Sequence, residues 1–329
     1  MRTTIRRLRG WLLASAALAA LAPAAGLDLQ GHRGARGLAP ENTLAAFATA
    51  LRIGVTTLEF DLGMTRDGVL VVGHDSRLNP NIVRDAEGRW VDAPGTPLNE
   101  LTLAQLQRYD VGRLKPGTRY AQTFAAQQPV DGERMPTLDA VFEAVARWGA
   151  REVRFNIETK LTPNEPALTP SPEDFARAVV DALKRHGLIA RSMLQSFDWR
   201  TLRAAHKLAP ELATVALTIS TANTDNLADG RWTAGLKLAD HGGSVPRLVQ
   251  ALGARTWSPL HANLSEPLLR EARGLGLTVV PWTVNEPADI ERLLDWGVDG
   301  MISDRPELLR AVLQAQGIAI PAPPPVAVF

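Results

Sequence analysis

Thr57-Leu58-Glu59-Phe60-Asp61 is the stretch whose reading decides the fold. Side chains at i and i+2 of a strand share a face, so Glu59 and Asp61 point one way while Leu58, Phe60 and Leu62 point the other. In a closed barrel the outer face packs on helices and must be apolar. The two carboxylates are therefore sent inward, toward the strand's C-terminal end. The same parity at residues 153–158 puts Asn156, Glu158 and Lys160 on one face, with Phe155 and Ile157 packing outward.

Outward from this strand, the chain alternates strand and helix. A short apolar run at 27–30 precedes Gly31-His32-Arg33-Gly34, and Leu44, Phe47, Ala48 and Leu51 fall at helical spacing over residues 40–51, ended by Gly54. Thr65-Arg66-Asp67-Gly68 reads as a turn into a third apolar run, 69–72, which ends in Gly73-His74-Asp75. Residues 77–134 then lose the pattern, with only one helical patch near 98–109, and read as an inserted lobe. The alternation resumes with strands expected at 153–158, 193–197, 213–219, 256–258, 277–283 and 300–303, separated by amphipathic helices. About eight strands, each followed by a helix or loop, suit a single-domain TIM (β/α)8 barrel over 27–316, with an insertion after the third apolar segment. A doubly wound open sheet is the runner-up. The proline-rich tail, 317–329, is expected to be disordered.

Composition narrows the class without naming a function. The chain has 329 residues, 45% hydrophobic and 22% charged, which is ordinary for a globular protein. Arg2, Arg6, Arg7 and Arg9 precede an apolar run and the small residues Ala22-Pro23-Ala24, so residues 1–24 read as an export signal and the protein as periplasmic or secreted. Arg6-Arg7 leaves a twin-arginine route open beside the general one. Cleavage after Ala24 takes the formal charge from +1 to −3, so no nucleic-acid partner is indicated, and no stable membrane insertion is expected once the signal is gone. With no cysteine in the chain, disulfides and thiolate metal sites are excluded.

Three carboxylates converging from two strands repel one another unless a cation sits between them, and hard oxygen ligands favour one Ca²⁺ or Mg²⁺ over zinc. The alternative is ordinary ion pairing with Arg or Lys at each strand end. His32 and His74 each close an apolar run, and two histidines flanking a phosphodiester can supply general base and general acid. Taken singly, each is equally well a hydrogen-bonded structural residue. Arg33 offers a forked guanidinium to phosphate oxygens and Lys160 a point charge; charge balance for Glu59, Asp61 and Glu158 is the other reading. Gly31-x-x-Gly34-x-x-Gly37 lacks dinucleotide-binding spacing.

Nine blocks together resemble the glycerophosphodiester phosphodiesterase family. They are Gly31-His32-Arg33-Gly34, Pro40-Glu41-Asn42-Thr43, Glu59-x-Asp61, Thr65-x-Asp67-Gly68, Val72-Gly73-His74-Asp75, Asn156-Ile157-Glu158-x-Lys160, Gln195-Ser196-Phe197-Asp198, Trp282-Thr283-Val284-Asn285 and the run from Gly297 through Ser303-Asp304-Arg305 to Pro306. The resemblance implies a TIM barrel that hydrolyses glycerophosphodiesters to sn-glycerol 3-phosphate and an alcohol. It implies a divalent cation on Glu59, Asp61 and Glu158, acid/base work by His32 and His74, and phosphate contacts by Arg33 and Lys160. Gln195 and Trp282 become ligand-side residues, and Glu41 and Asn42 supports of the His32 loop. The segment 77–134 departs from compact members; it either roofs the site and selects the alcohol or decorates the surface. Two competing readings are a sphingomyelinase D-like or lysophospholipase D-like phospholipase and an inactive exported phosphoester-binding barrel.

Overall fold

The computed structural model describes residues 26–324, so the expected export signal at 1–24 and the end of the tail, 325–329, lie outside the described residues. In chain order β1 (Asp28–Gly31) is followed by α1 (Leu44–Ile53), β2 (Thr57–Met64) and β3 (Leu70–Val72). The lobe carries two short helices, α2 (Leu103–Leu106) and α3 (Arg119–Thr123), and ends at α4 (Leu138–Arg147). Next come β4 (Arg154–Thr159), α5 (Pro172–His186), β5 (Ser192–Ser196), α6 (Trp199–Leu208) and β6 (Ala213–Thr218). The last part of the chain supplies α7 (Val245–Leu252), β7 (Thr256–Pro259), α8 (Glu266–Gly274), β8 (Thr278–Val279), α9 (Pro287–Trp296), β9 (Gly300–Ser303) and α10 (Pro306–Ala315).

Eight strands pair in parallel in the order β8-β7-β6-β5-β4-β2-β1-β9. Backbone bonds from Asp299 N to Val279 O and from Ile302 N to Pro281 O, both 3.0 Å, join β9 to the β8 segment and bring the sheet round into the expected barrel. The third apolar run is outside that ring. It folds back antiparallel on β2, with Leu62 opposite Val72, because a four-residue turn cannot make the long crossover that a parallel neighbour needs. β8 is shorter than the run 277–283 suggested, since Pro281 has no N–H to give to a ladder.

The strand parity holds. Phe60 and Phe155 are buried on the outside of the barrel, where Phe47 meets Phe60 edge-on at 5.4 Å and Phe142 meets Phe155 at 5.0 Å. Glu59 and Asp61 are equally buried, but on the inside. α1 starts later than expected. Asn42 has φ 58°, a left-handed conformation no helix accepts, and Thr43 is the cap, taking Ala46 N on its hydroxyl at 3.2 Å. Residues 40–42 are thereby freed to shape the site.

The lobe has a small core of its own, with Leu78, Val83, Leu98, Leu106 and Met135 packed on Val71 of β3. The described part of the tail forms no helix or strand; it lies along the barrel, where Ile318 and Ile320 pack on the core and Pro321 O accepts from Arg310 Nη2 at 3.0 Å. No helix among the described residues is long and apolar enough to cross a membrane.

Candidate active site

Register places the carboxylates. β2 and β4 pair so that Asp61 lies beside Glu158 and Glu59 beside Asn156, while Gln195 of β5 lies beside Glu158. Glu59, Asp61 and Glu158 each present an oxygen within 4.8 Å of the others, all three buried. Burial, and Asp61 after it, push Glu59 well above the usual carboxylate range. Glu158 is pushed up to about 7 by burial, against the pull of Lys160. Asp61 is held low despite its burial, because Arg33, His74 and Lys160 all favour its charge.

Neighbouring donors hold most of these carboxylate oxygens. Glu59 accepts from Arg33 N at 2.9 Å and from Gln195 Nε2 at 2.5 Å. Gln195 is itself oriented by Asn156, whose Nδ2 donates to its Oε1 at 3.0 Å and to Gln30 Oε1 at 2.8 Å, so an amide chain through the barrel interior fixes which side of Gln195 faces Glu59. Asp61 Oδ2 accepts from Asn42 Nδ2 at 2.9 Å. Asp61 Oδ1 is buried with no hydrogen-bond partner, and Lys160 Nζ stands 3.8 Å away. Lys160 is nearer to Glu158 Oε1, at 2.6 Å. An all-oxygen donor set with one orphaned buried lone pair and two carboxyls raised by mutual burial fits a hard divalent cation.

Both histidines are held by aspartates. His32, in the β1–α1 loop, meets Asp304 Oδ1 through Nδ1 at 2.7 Å, and its Nε2 lies 3.9 Å from Glu59 Oε2. Asp304 is gripped in turn by Arg36 Nε at 2.7 Å and Asn285 Nδ2 at 2.9 Å. An ionised Asp304 assigns the proton to Nδ1 and leaves the Nε2 lone pair facing the carboxylates. Burial and Arg36 lower His32 to about 4, so it is neutral at pH 7. His74 follows β3 and meets Asp75 Oδ1 through Nδ1 at 2.9 Å, with Asp75 steadied by Asn79 Nδ2 at 2.7 Å. Burial, then Arg33 and Lys160, lower His74 as well.

Arg33 sits at φ 49° in the turn after β1, in the left-handed region. Its Nη1 donates to Glu41 Oε1 at 2.6 Å and its Nε lies 3.2 Å from Asp61 Oδ2. Burial works against the charge on Arg33, but Glu41 and Asp61 overcome it. Trp282 stands one ring further out. It meets Phe197 edge-on at 5.3 Å, and Lys160 Nζ lies 5.5 Å from the Phe197 ring. A cavity of about 520 Å³ opens from Glu158 and Lys160 past Phe197 and Trp232. A second of about 670 Å³, lined by Thr218, Leu238 and Trp257, reaches none of the carboxylates.

Every residue singled out from the sequence thus belongs to one cluster or borders it. Three further participants carried no assignment: Asp304 on His32, Asp75 on His74, and Tyr120 of the lobe, whose hydroxyl donates to Glu41 Oε2. Asp304 and Asp75 stand inside quoted motifs, so the signal was present, but their partners are not readable without the fold.

A β/α barrel that gathers titratable and phosphate-matching side chains at the C-terminal ends of its strands is the layout of a barrel hydrolase. Comparison with known proteins then gives the family. The chain belongs to the glycerophosphoryl diester phosphodiesterase family, whose model matches residues 32–308, and its members are hydrolases of glycerophosphodiesters. It is 30% identical over 286 residues to a glycerophosphodiester phosphodiesterase of Caldanaerobacter subterraneus subsp. tengcongensis, covering 87% of this chain and 97% of that one. A Bacillus subtilis glycerophosphodiester phosphodiesterase is 31% identical over 288 residues, covering 85% of this chain and 84% of the relative. Among solved structures, a Silicibacter pomeroyi chain assigned to the glycerophosphoryl diester phosphodiesterases superposes with a TM-score of 0.80 at 34% identity, covering 90% of this chain and 95% of that one. An Oleispira antarctica phosphodiesterase, solved with its product sn-glycerol-3-phosphate, shares the fold at a TM-score of 0.63 and 22% identity, over 88% of this chain and 97% of that one.

Proposed function

We propose that this protein cleaves glycerophosphodiesters to sn-glycerol 3-phosphate and an alcohol, using His32 and His74 as the acid/base pair and one Ca²⁺ or Mg²⁺ on Glu59, Asp61 and Glu158. The observation that carries the reading is the matched pair of Nδ1–aspartate contacts, each of which leaves Nε2 for proton transfer, His32 Nε2 lying 3.9 Å from Glu59 Oε2.

The chemistry divides among the side chains. Glu41 takes Nη1 of Arg33, while Asp61 Oδ2 stands 3.2 Å from Nε without a hydrogen bond, so the guanidinium keeps donors for a phosphate oxygen. Lys160 adds a second positive charge from the other side of Asp61. One histidine takes a proton at Nε2 from the attacking hydroxyl as its oxygen bonds to phosphorus; the other, protonated, gives its Nε2 proton to the alkoxide as the old P–O bond breaks. The bound cation supplies charge neutralisation at the non-bridging oxygens. Trp282 and Phe197 offer an apolar wall to the carbon part of the substrate, and the cavity beyond Lys160 has room for the alcohol group.

The test is an assay of metal-stripped protein on glycerophosphocholine, glycerophosphoethanolamine and a lysophospholipid, with Ca²⁺ and Mg²⁺ restored separately. Cation-dependent release of sn-glycerol 3-phosphate from the first two is expected; turnover of none of the three overturns the reading, and turnover of the lysophospholipid alone replaces it with a phospholipase D-type activity. Export through residues 1–24 is part of the same proposal, motivated by the arginine-led apolar run. Sequencing the N-terminus of protein recovered outside the cytoplasm checks it: a mature chain starting near Ala25 is expected, and a retained Met1 counts against it.

A further inference from the structure

Besides Asn79 on Asp75, the inserted lobe meets the 33–41 loop through one face of one segment, residues 120–128. Tyr120 lies on α3, half-buried, and its hydroxyl donates to the second oxygen of the Glu41 carboxylate, the first being taken by Arg33 Nη1. Phe124, one turn on, meets Tyr120 edge-on at 5.0 Å and carries the Arg36 guanidinium over its ring at 4.5 Å. Gln127 Nε2 donates to Arg36 O at 2.7 Å, and Gln128 N to Leu38 O at 2.9 Å. All four contacts fall on the 33–41 loop, and the side chains they reach, Glu41 and Arg36, are those holding Arg33 and Asp304.

We propose that Tyr120 is a positioning residue for Arg33, acting through Glu41, so that the inserted lobe sets the aim of the phosphate-binding guanidinium without touching substrate. This rests on the reading that Arg33 grips the substrate's phosphate. Glu41 is buried, and its two oxygens divide between Arg33 and Tyr120. With the phenol removed, one oxygen loses its donor and the carboxylate is free to rotate. Arg33, already at a left-handed φ of 49°, then keeps Asp61 and the released Glu41 as competing anchors.

The deciding variant is Tyr120→Phe, which deletes one oxygen and keeps both the Phe124 stacking and the lobe's packing. Its kcat/KM should fall about tenfold, the scale of losing one hydrogen bond to a charged group, with the circular dichroism spectrum of the parent retained. In a Glu41→Gln background the same change should cost little more, because both act on one carboxylate. Amide exchange over residues 32–42 should quicken in Tyr120→Phe while β4 to β6 stay as in the parent. Unchanged exchange over 32–42 overturns the proposal whatever the turnover, and a full additional loss in the Glu41→Gln background overturns the route through Glu41. Should the parent hydrolyse no glycerophosphodiester, the functional reading fails, and the exchange comparison still decides this one.

Discussion

His32 and Asp304 are 272 residues apart in sequence and meet at 2.7 Å between Nδ1 and Oδ1. Ring closure makes the contact: β1 and β9 pair in parallel, Gly31 beside Ser303, so the residues that follow each strand emerge side by side. The aspartate does more than hold the ring in place. By assigning the Nδ1 proton, it leaves His32 basic only at Nε2, on the side of Glu59.

Asp304→Asn keeps the shape and removes the charge, so the Nδ1 tautomer is no longer enforced. Turnover should drop by about 10² with KM little changed. Nitrogen NMR of His32 alongside steady-state kinetics reads both parts; a rate within threefold of the parent, with the tautomer retained, removes Asp304 from the account.

Replacing His74 with Ala should lower kcat by about 10² or more without unfolding the protein, since the side chain is only partly enclosed and its packing contribution is small. The His32→Ala change should match it in size. Circular dichroism confirms folding in each case, and a near-parental rate in either variant excludes that histidine from proton transfer.

Cation binding should release protons near neutral pH. Glu158, at about 7, is partly protonated there when no cation is present, and burial with Asp61 raises Glu59 in the same direction. A cation that needs Glu158 ionised must displace its proton, so affinity should rise up to about tenfold per pH unit below about pH 7 and flatten above it. Calorimetry in buffers of different ionisation enthalpy counts the protons; a count of zero at pH 6.5 contradicts the raised carboxyls.

Stability of the cation-free protein carries two opposed pH dependences. Glu158, at about 7 when folded and near its ordinary 4.5 when unfolded, contributes stability that is present below about 4.5 and lost as pH rises through 7. His32, at about 4 when folded and 6.5 when unfolded, contributes stability that is present above 6.5 and lost as pH falls through 4. Glu158→Gln removes the first and leaves the second. Its melting midpoint should therefore fall more steeply than the parent's between pH 6.5 and 5, and parallel curves would show that the Glu158 shift is not there.

Period-two alternation at 57–62 and 153–160 was enough to face Glu59, Asp61 and Glu158 inward, because parity is local and a buried outer face admits no carboxylate. The strand outside the ring, β3, was harder. Residues 69–72 are as apolar as a barrel strand, and only the shortness of the 65–68 turn shows that they fold back on β2. Pro281 cut β8 short by backbone chemistry that its apolar flanks concealed. The partnerships of Asp304 and Tyr120 depend on which chain ends and which loops meet in space. Nothing in the residues around them encodes that.

The β1–β9 pairing also dates the onset of activity. A chain emerging from the ribosome holds its carboxylates, its Arg33 and both histidines long before Asp304 arrives. Until that last strand docks, His32 has no anchor and β1 has an open edge, so the half-made molecule is a poor catalyst. A protein clipped ahead of β9 would lack both the strand that closes the ring beside β1 and the aspartate that holds His32.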